Sequence, residues 1–522
     1  MTVQVGTELT PEDVAAVARE EATVEIPETV RERVRASRER VSSVVEQDDA
    51  VYGINTGFGE LVTERIPRDD LADLQHNLVR SHASGQGEEL GREEVRALLV
   101  TRLHALALGY SGVRESVVDT LAAMVNRGVH PVVRTHGSLG ASGDLAPLAH
   151  LALVLIGEGE ATVDGERLAG EAALRAAERE PLSLAPKEGL ALINGTQLTA
   201  GLAALAVVDA EGLLDVADAA GALTTEVGMG TTVTSSEAIA GVRPHEGHGV
   251  SAANVRRLTA DSEIVESHRN CDRVQDAYSL RCLPQVHGAV RDAVAHLREA
   301  VETELNSATD NPLIFDADTV ESRASQTESA AVVSGGNFHG APLAHRLDYA
   351  ANAVTDLAAM SERRVDRLLN PNVQESHLSP FLAGESGVES GLMIAQYTAA
   401  SLVSDCRAHG SPGVDNVPVS GGQEDHVSMS ATSAVHARQV LEQARRVVAI
   451  ELLCSAEAAE YVDDSLAHGV GTAALYDGVR DVVDPLDGDR SLDGDIDAIA
   501  ARIRSGDLRD RVAATLDDGF AD

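Results

Sequence analysis

HVSMSATSAVHARQVLEQARRVVAIELLCSAEAAEYV, His426 to Val462, runs for 37 residues without a glycine or a proline. Its helical periodicity predicts one helix far longer than the ~11–12 residues of an average globular helix. So long a helix needs partners along its whole length, which predicts a bundle. Working outward, segments near 196–223, 285–308, 338–369 and 387–408 carry the same period with few breakers. Loops rich in Gly, Pro and Asn, such as Gly241–Gly249 and Gly410–Gly422, connect them. Before residue 200 the helical patterns are shorter, near 92–108, 114–127 and 144–157, and glycines interrupt them. The expected fold is mainly α. A smaller, mixed but mostly helical N-terminal domain covers 1–200, and a long-helix bundle covers 201–522. There is no internal repeat.

Composition narrows the class. The 522 residues are 43% hydrophobic but only 2% aromatic, with no Trp, so the core has to be built from Ala, Val, Leu and Ile. Acidic residues number 83 against 42 basic ones, giving a net charge of -41 spread along the whole chain. Lys187 is the only lysine; every other fixed cation is an arginine. At ~1 M ionic strength the Debye length falls to ~3 Å and such self-repulsion is screened, so the surface predicts a halophilic protein. The same charge argues against nucleic acid or an anionic membrane as partner. Cys271, Cys282, Cys406 and Cys454 have neither zinc-type nor paired spacing and read as reduced thiols. MTVQVGTELTPEDV lacks a basic region followed by an apolar run, so no signal peptide is evident. No uncharged apolar stretch reaches the ~18 residues a bilayer requires. The expected location is the cytoplasm.

The chemistry centres on GSLGASGDLAPLAH, Gly137 to His150. In its Ala141-Ser142-Gly143 core, the Gly143 amide nitrogen can attack the Ala141 carbonyl, because no side chain on Gly143 blocks the approach. Loss of water from the ring and from Ser142 would leave an exocyclic methylene conjugated to a carbonyl, a strong electrophile made from the chain itself. Asp144 at an N-cap position and Pro147 in the first turn suit a helix starting here. A serine-hydrolase elbow fails, since Asp144 stands where G-x-S-x-G needs its last glycine.

The fourteen-residue string resembles the signature of the aromatic amino acid ammonia-lyases, which carry a self-made 4-methylideneimidazol-5-one (MIO), and is most similar to their histidine-specific branch. The resemblance covers nearly the whole chain. It implies a fold of the fumarase/aspartase type, assembled as a homotetramer whose active sites combine residues from more than one subunit. No external cofactor is implied.

Several separated motifs carry this resemblance and its implied roles. YGINTGFGE, Tyr52 to Glu60, is similar to the catalytic-base loop, with Tyr52 taking the β-proton and the glycines letting the loop close. LVRSHASGQGE supplies His82, next to Ser81, as the selector of an imidazole side chain. KEGLALINGTQ supplies Asn194, against the electrophile or the substrate amine, with Lys187 bracing the loop. In VQDAYSLRCLPQ, Arg281 suits a bidentate grip on the α-carboxylate, Tyr278 a proton relay and Gln275 its orientation. NSATDNPLIF and SGGNFHGAPLA bring Asn311 and Phe338 to the pocket. GGQEDHVSM carries Glu424, whose carboxylate can accept the imidazole N–H. A benzene-ring substrate would leave that carboxylate unpaired, at a cost of ~1–3 kcal/mol.

The implied activity is non-oxidative deamination of L-histidine to trans-urocanate and ammonia, the first step of histidine breakdown. An aminomutase using the same group, another aromatic amino acid ammonia-lyase and a non-catalytic paralogue are the alternatives. His245-x-x-His248 and Cys406-x-x-His409 each lack a completing pair for a metal, and no metal is expected.

Overall fold

The computed structural model describes residues 1–20, 22–46, 51, 53–54, 66–67, 70–269, 271, 274–321, 327–385 and 387–521. Helices dominate, and those that matter for the site are α1 (Leu71–His82), α2 (Arg92–Ala107), α3 (Leu145–Leu155), α4 (Glu188–Ile193), α5 (Gln197–Val227), α6 (Tyr278–Arg281), α7 (Leu283–Leu305), α8 (Ala341–Leu369) and α9 (Ser430–Ala459). The 37-residue stretch that predicted a long helix is therefore helical over 30 residues as α9. Strands are short and local. Gln86–Glu89 pairs antiparallel with Arg134–His136, and Leu313–Phe315 with Ala331–Val333.

Two compact units divide the chain. Unit 1 comprises Met1–Val208, Leu297–Asp348 and Ser411–Val435; unit 2 comprises Asp209–His296, Tyr349–Gly410 and His436–Asp522.

In unit 1, α2 is buried on every side, including Arg96, Arg102 and His104. A helix buried on every face belongs in a core, whatever polar side chains it carries in with it. Leu98, Leu99, Leu103 and Leu106 are almost completely buried, each contributing on the order of 2 kcal/mol relative to exposure. Ala203, Ala204 and Leu205 of α5 are likewise fully buried, and small side chains of this kind let helices approach closely without aromatic filler.

Unit 2 is held by a buried charged network. Asp218 accepts from Arg291 at 2.7 Å, Asn254 at 2.9 Å and His287 Nδ1 at 2.8 Å. Burial alone would raise the Asp218 pKa, but Arg291 and His287 outweigh it and hold the carboxylate well below its ordinary range. Arg364 and Ser361 of α8 and Thr224 of α5 all donate to Glu451 of α9. These contacts fix the register of the helices within the unit. Among the described residues no helix is long and apolar enough to cross a membrane. All four cysteines are free thiols.

Candidate active site

The Gly137–Asp144 loop joins the strand Arg134–His136 to α3 and lies in unit 1. Its backbone is gripped residue by residue. Leu139 O accepts from Ser428 N at 3.2 Å and Met429 N at 2.8 Å. Gly140 O accepts from Gly340 N at 3.0 Å and from Ser428 Oγ at 2.9 Å. Ser142 O accepts from Asn194 Nδ2 at 2.7 Å. Asp144 N donates to Gly195 O at 2.7 Å, and Gly143 and Gly195 form an isolated parallel bridge. Gly140 has φ +63° and Gly143 φ +76°; a Cβ on Gly143 would overlap the Gly195 backbone and one on Gly140 would overlap Ser428 Oγ. Glycine is required at both points. Among the described residues, no hydrogen bond engages the Gly143 amide or the Ala141 carbonyl, the two groups that ring closure would join.

Four helix N-termini meet this loop. α3 begins at Leu145, immediately after it. Thr199 N, in the first turn of α5, donates to Asp144 Oδ2 at 2.9 Å. The donors Gly340 N and Met429 N lie just ahead of α8 and α9. Each terminus carries about half a positive charge, so the loop sits in a field that favours developing negative charge.

Asp144 occupies the expected position, but its side chain serves a different helix. Asp144 stands at the N-cap position of α3, but its side chain makes no cap bond there. The fully buried carboxyl turns instead to Thr199 N and to Ser138 Oγ, at 2.8 Å. Burial raises its pKa, against the opposing effect of these donors.

Two of the other predicted residues, Glu424 and Asn194, contact the loop directly. Glu424, partly buried, accepts from Ser142 Oγ at 3.1 Å. Asn194 caps the C-terminus of α4; its Oδ1 is buried and has no hydrogen-bond partner among the described residues. Arg102, wholly buried, donates to Asn194 O at 3.1 Å and to Ala191 O. Burial pushes its pKa down to about 10. His82 ends α1 with Nδ1 directed at Leu78 O, 2.8 Å away, which leaves Nε2 as an acceptor in that tautomer. Asn311 is buried and accepts from Gly335 N at 2.8 Å, in the segment that carries the half-buried Phe338.

Gln275, Tyr278 and Arg281 form their own cluster in unit 2. Arg281 Nη1 donates to Gln275 Oε1 at 2.6 Å and its guanidinium stands 5.8 Å from the Tyr278 ring centroid. Tyr278 is 72% exposed. Tyr52 lies outside the described residues; Gly53, which follows it, has φ +76° and abuts Pro312 and Leu190.

Sequence reading missed Ser428, Gly340 and Gly195 as the clamp on the loop. Nothing local marks a serine or a glycine as the hydrogen-bond partner of a loop distant in the sequence. The weak metal candidates have other occupations: His248 faces Arg243 O and Gln285 Nε2, and Cys406 Sγ faces Val440 O.

Long helices together with an Ala-Ser-Gly turn clamped beside an asparagine and a glutamate define the class, a helical carbon–nitrogen lyase. The chain belongs to the aromatic amino acid lyase family, whose model matches residues 9–481. It is 62% identical over 516 residues to a probable histidine ammonia-lyase of Halobacterium salinarum, covering 99% of this chain and 98% of that one. Among solved structures it is similar to histidine ammonia-lyase from Trypanosoma cruzi, with TM-score 0.89 and 39% identity over 99% of this chain and 96% of that one. Tyrosine aminomutase from Streptomyces globisporus is similar over 100% of both chains, with TM-score 0.92 and 37% identity.

Proposed function

We propose that this chain deaminates L-histidine to trans-urocanate and ammonia. The observation that carries the reading is Glu424 Oε1 at 3.1 Å from Ser142 Oγ, a carboxylate held against the serine of a turn built to cyclise. The residues present fit a 4-methylideneimidazol-5-one. Asn194 donates to the Ser142 carbonyl, which would become the ring carbonyl, and Gly143 lies flush against Gly195 where a side chain would collide. Such a group supplies the electrophile that turns the substrate amine into a leaving group.

The chain's own residues do the rest. Glu424 accepts the imidazole N–H, and His82 hydrogen-bonds the same ring. Arg281 holds the α-carboxylate through its planar fork. Tyr52 removes the β-proton, and Tyr278, oriented by Gln275, relays protons. Asn311 and Phe338 shape the pocket around the ring.

Exposure of Tyr278 suits a homotetramer in which this cluster completes a neighbouring subunit's site. The acidic surface suits a halophilic, cytoplasmic enzyme.

Incubation of the purified protein with L-histidine tests the reading by release of an ultraviolet-absorbing product. Ser142→Ala should keep the fold, lose the two-water mass deficit of the wild-type chain and abolish turnover. Formation of β-histidine instead of urocanate would establish the aminomutase; a dehydrated chain inert to L-histidine would also overturn the reading.

A further inference from the structure

A chain that uses arginine for every other fixed cation keeps one lysine, and that lysine is wholly buried. Lys187 Nζ donates to Asp310 Oδ2 at 2.6 Å. The other oxygen of the same carboxylate, Oδ1, accepts from Asn311 N at 2.6 Å. Asn311 in turn accepts from Gly335 N, tying it to the segment of Phe338.

On its other side Lys187 starts α4, where its carbonyl accepts from Ala191 N at 2.8 Å. That short helix ends at Asn194, the donor to Ser142 O. Gly189 N, inside it, donates to Gln75 Oε1 at 2.8 Å on α1, the helix that ends at His82. Lys187 also holds φ +73°, a conformation a non-glycine residue keeps only when its surroundings fix it.

We propose that Lys187 is a positioning residue, whose ammonium, through Asp310, fixes Asn311 and the pocket wall in register with Asn194 and the electrophile-forming turn. The proposal rests on the functional reading given above. A compact ammonium suits this closed site where the broad, planar guanidinium of the chain's other cations does not. Burial lowers the Lys187 pKa, with Arg102 and Arg38 adding to that effect and Asp310 opposing it. Since the charge has no exit to water, the pair has to be kept or removed together.

Two double variants test this. Lys187→Met/Asp310→Leu removes both charges and the acceptor for Asn311 N. Lys187→Gln/Asp310→Asn removes the charges but keeps a donor and an acceptor. The apolar pair should melt near the wild type and still show the two-water mass deficit, yet lose kcat on the order of 10-fold or more with KM raised, because register errors of ~1 Å cost that much. The polar neutral pair should recover most of the lost kcat. A folded apolar pair with wild-type kcat and KM would overturn the proposal. So would a folded polar pair as impaired as the apolar one, since charge rather than register would then be the cause. If the apolar pair does not fold, the polar pair decides alone: near-wild-type kcat supports positioning and a folded, inactive protein refutes it.

A further readout needs no activity. An amine-reactive reagent should modify the native wild type at its N-terminus only, and Lys187 only after denaturation. Labelling of Lys187 in the native protein would overturn the proposal. Wild-type protein that releases no urocanate would sink the functional reading while leaving the labelling and melting results to stand.

Discussion

On the proposed reading, Glu424 is the carboxylate that selects the ring of the substrate. It is partly buried and its only side-chain partner among the described residues is the Ser142 hydroxyl, so an imidazole N–H would satisfy it and a benzene ring would not. Glu424→Gln keeps an acceptor but loses the charge. The kcat/KM for histidine should fall about 10-fold, the difference between a charge-assisted and a neutral hydrogen bond. Intact mass must show that the two waters are still missing; unchanged kcat/KM in such protein would remove Glu424 from recognition. At this scale Glu424 and Asn194, singled out from short motifs, both hydrogen-bond Ser142 of the turn, whereas His82 faces Leu78 O on its own helix. Asp144 was only half legible. Its position marks a helix start, but which amide a buried carboxyl faces depends on α5 arriving beside it, and no local pattern encodes that. Ser428 was illegible for the same reason.

At the scale of elements, the long helices were the most legible part of the fold. Segments read near 196–223, 285–308 and 338–369 are helical over Gln197–Val227, Leu283–Leu305 and Ala341–Leu369. The segment read near 387–408 begins later, at Met393, because Gly387 and Gly391 take positive φ in the approach to it. The strand pairs escaped notice, being too short to display a period of two. α2 carries a testable consequence. His104 is fully buried on it and accepts from Gly6 N at 3.1 Å through Nδ1, which requires a neutral ring. Burial lowers its pKa to about 4. The unfolded chain would titrate near the ordinary value of about 6.5, binding the proton the folded chain refuses. Stability should therefore be complete above about pH 6.5 and decline as pH falls toward 4, by up to about 3 kcal/mol from this residue. His104→Asn, which keeps an acceptor and cannot be protonated, should flatten that decline in urea melts at pH 7 and pH 4.5. An identical loss in both proteins would refute the assignment.

The whole molecule is governed by its charge. Arginines pair widely across the surface, as Arg31 does with Glu115 and Asp119, but 83 acids cannot all be matched by 42 bases. Exposed ion pairs of this sort contribute ~0–1 kcal/mol each, too little to offset a net charge of -41 at low ionic strength. Moving from about 1 M salt to dilute buffer should lower the melting temperature, since the screening length grows from ~3 Å to tens of ångströms. A melting temperature indifferent to dialysis would contradict the halophilic reading.

The clamp on Leu139–Ser142 draws its donors from around residue 194, residue 340 and residues 428–429, segments far apart in the sequence that meet in the folded chain. On the proposed reading, ring closure would then be a one-way stamp applied once the fold has formed. A newly made polypeptide would weigh its full translated mass, and a once-native one would stay lighter even after denaturant erased its shape. Weighing unfolded chains would thus count how many had ever reached the native state.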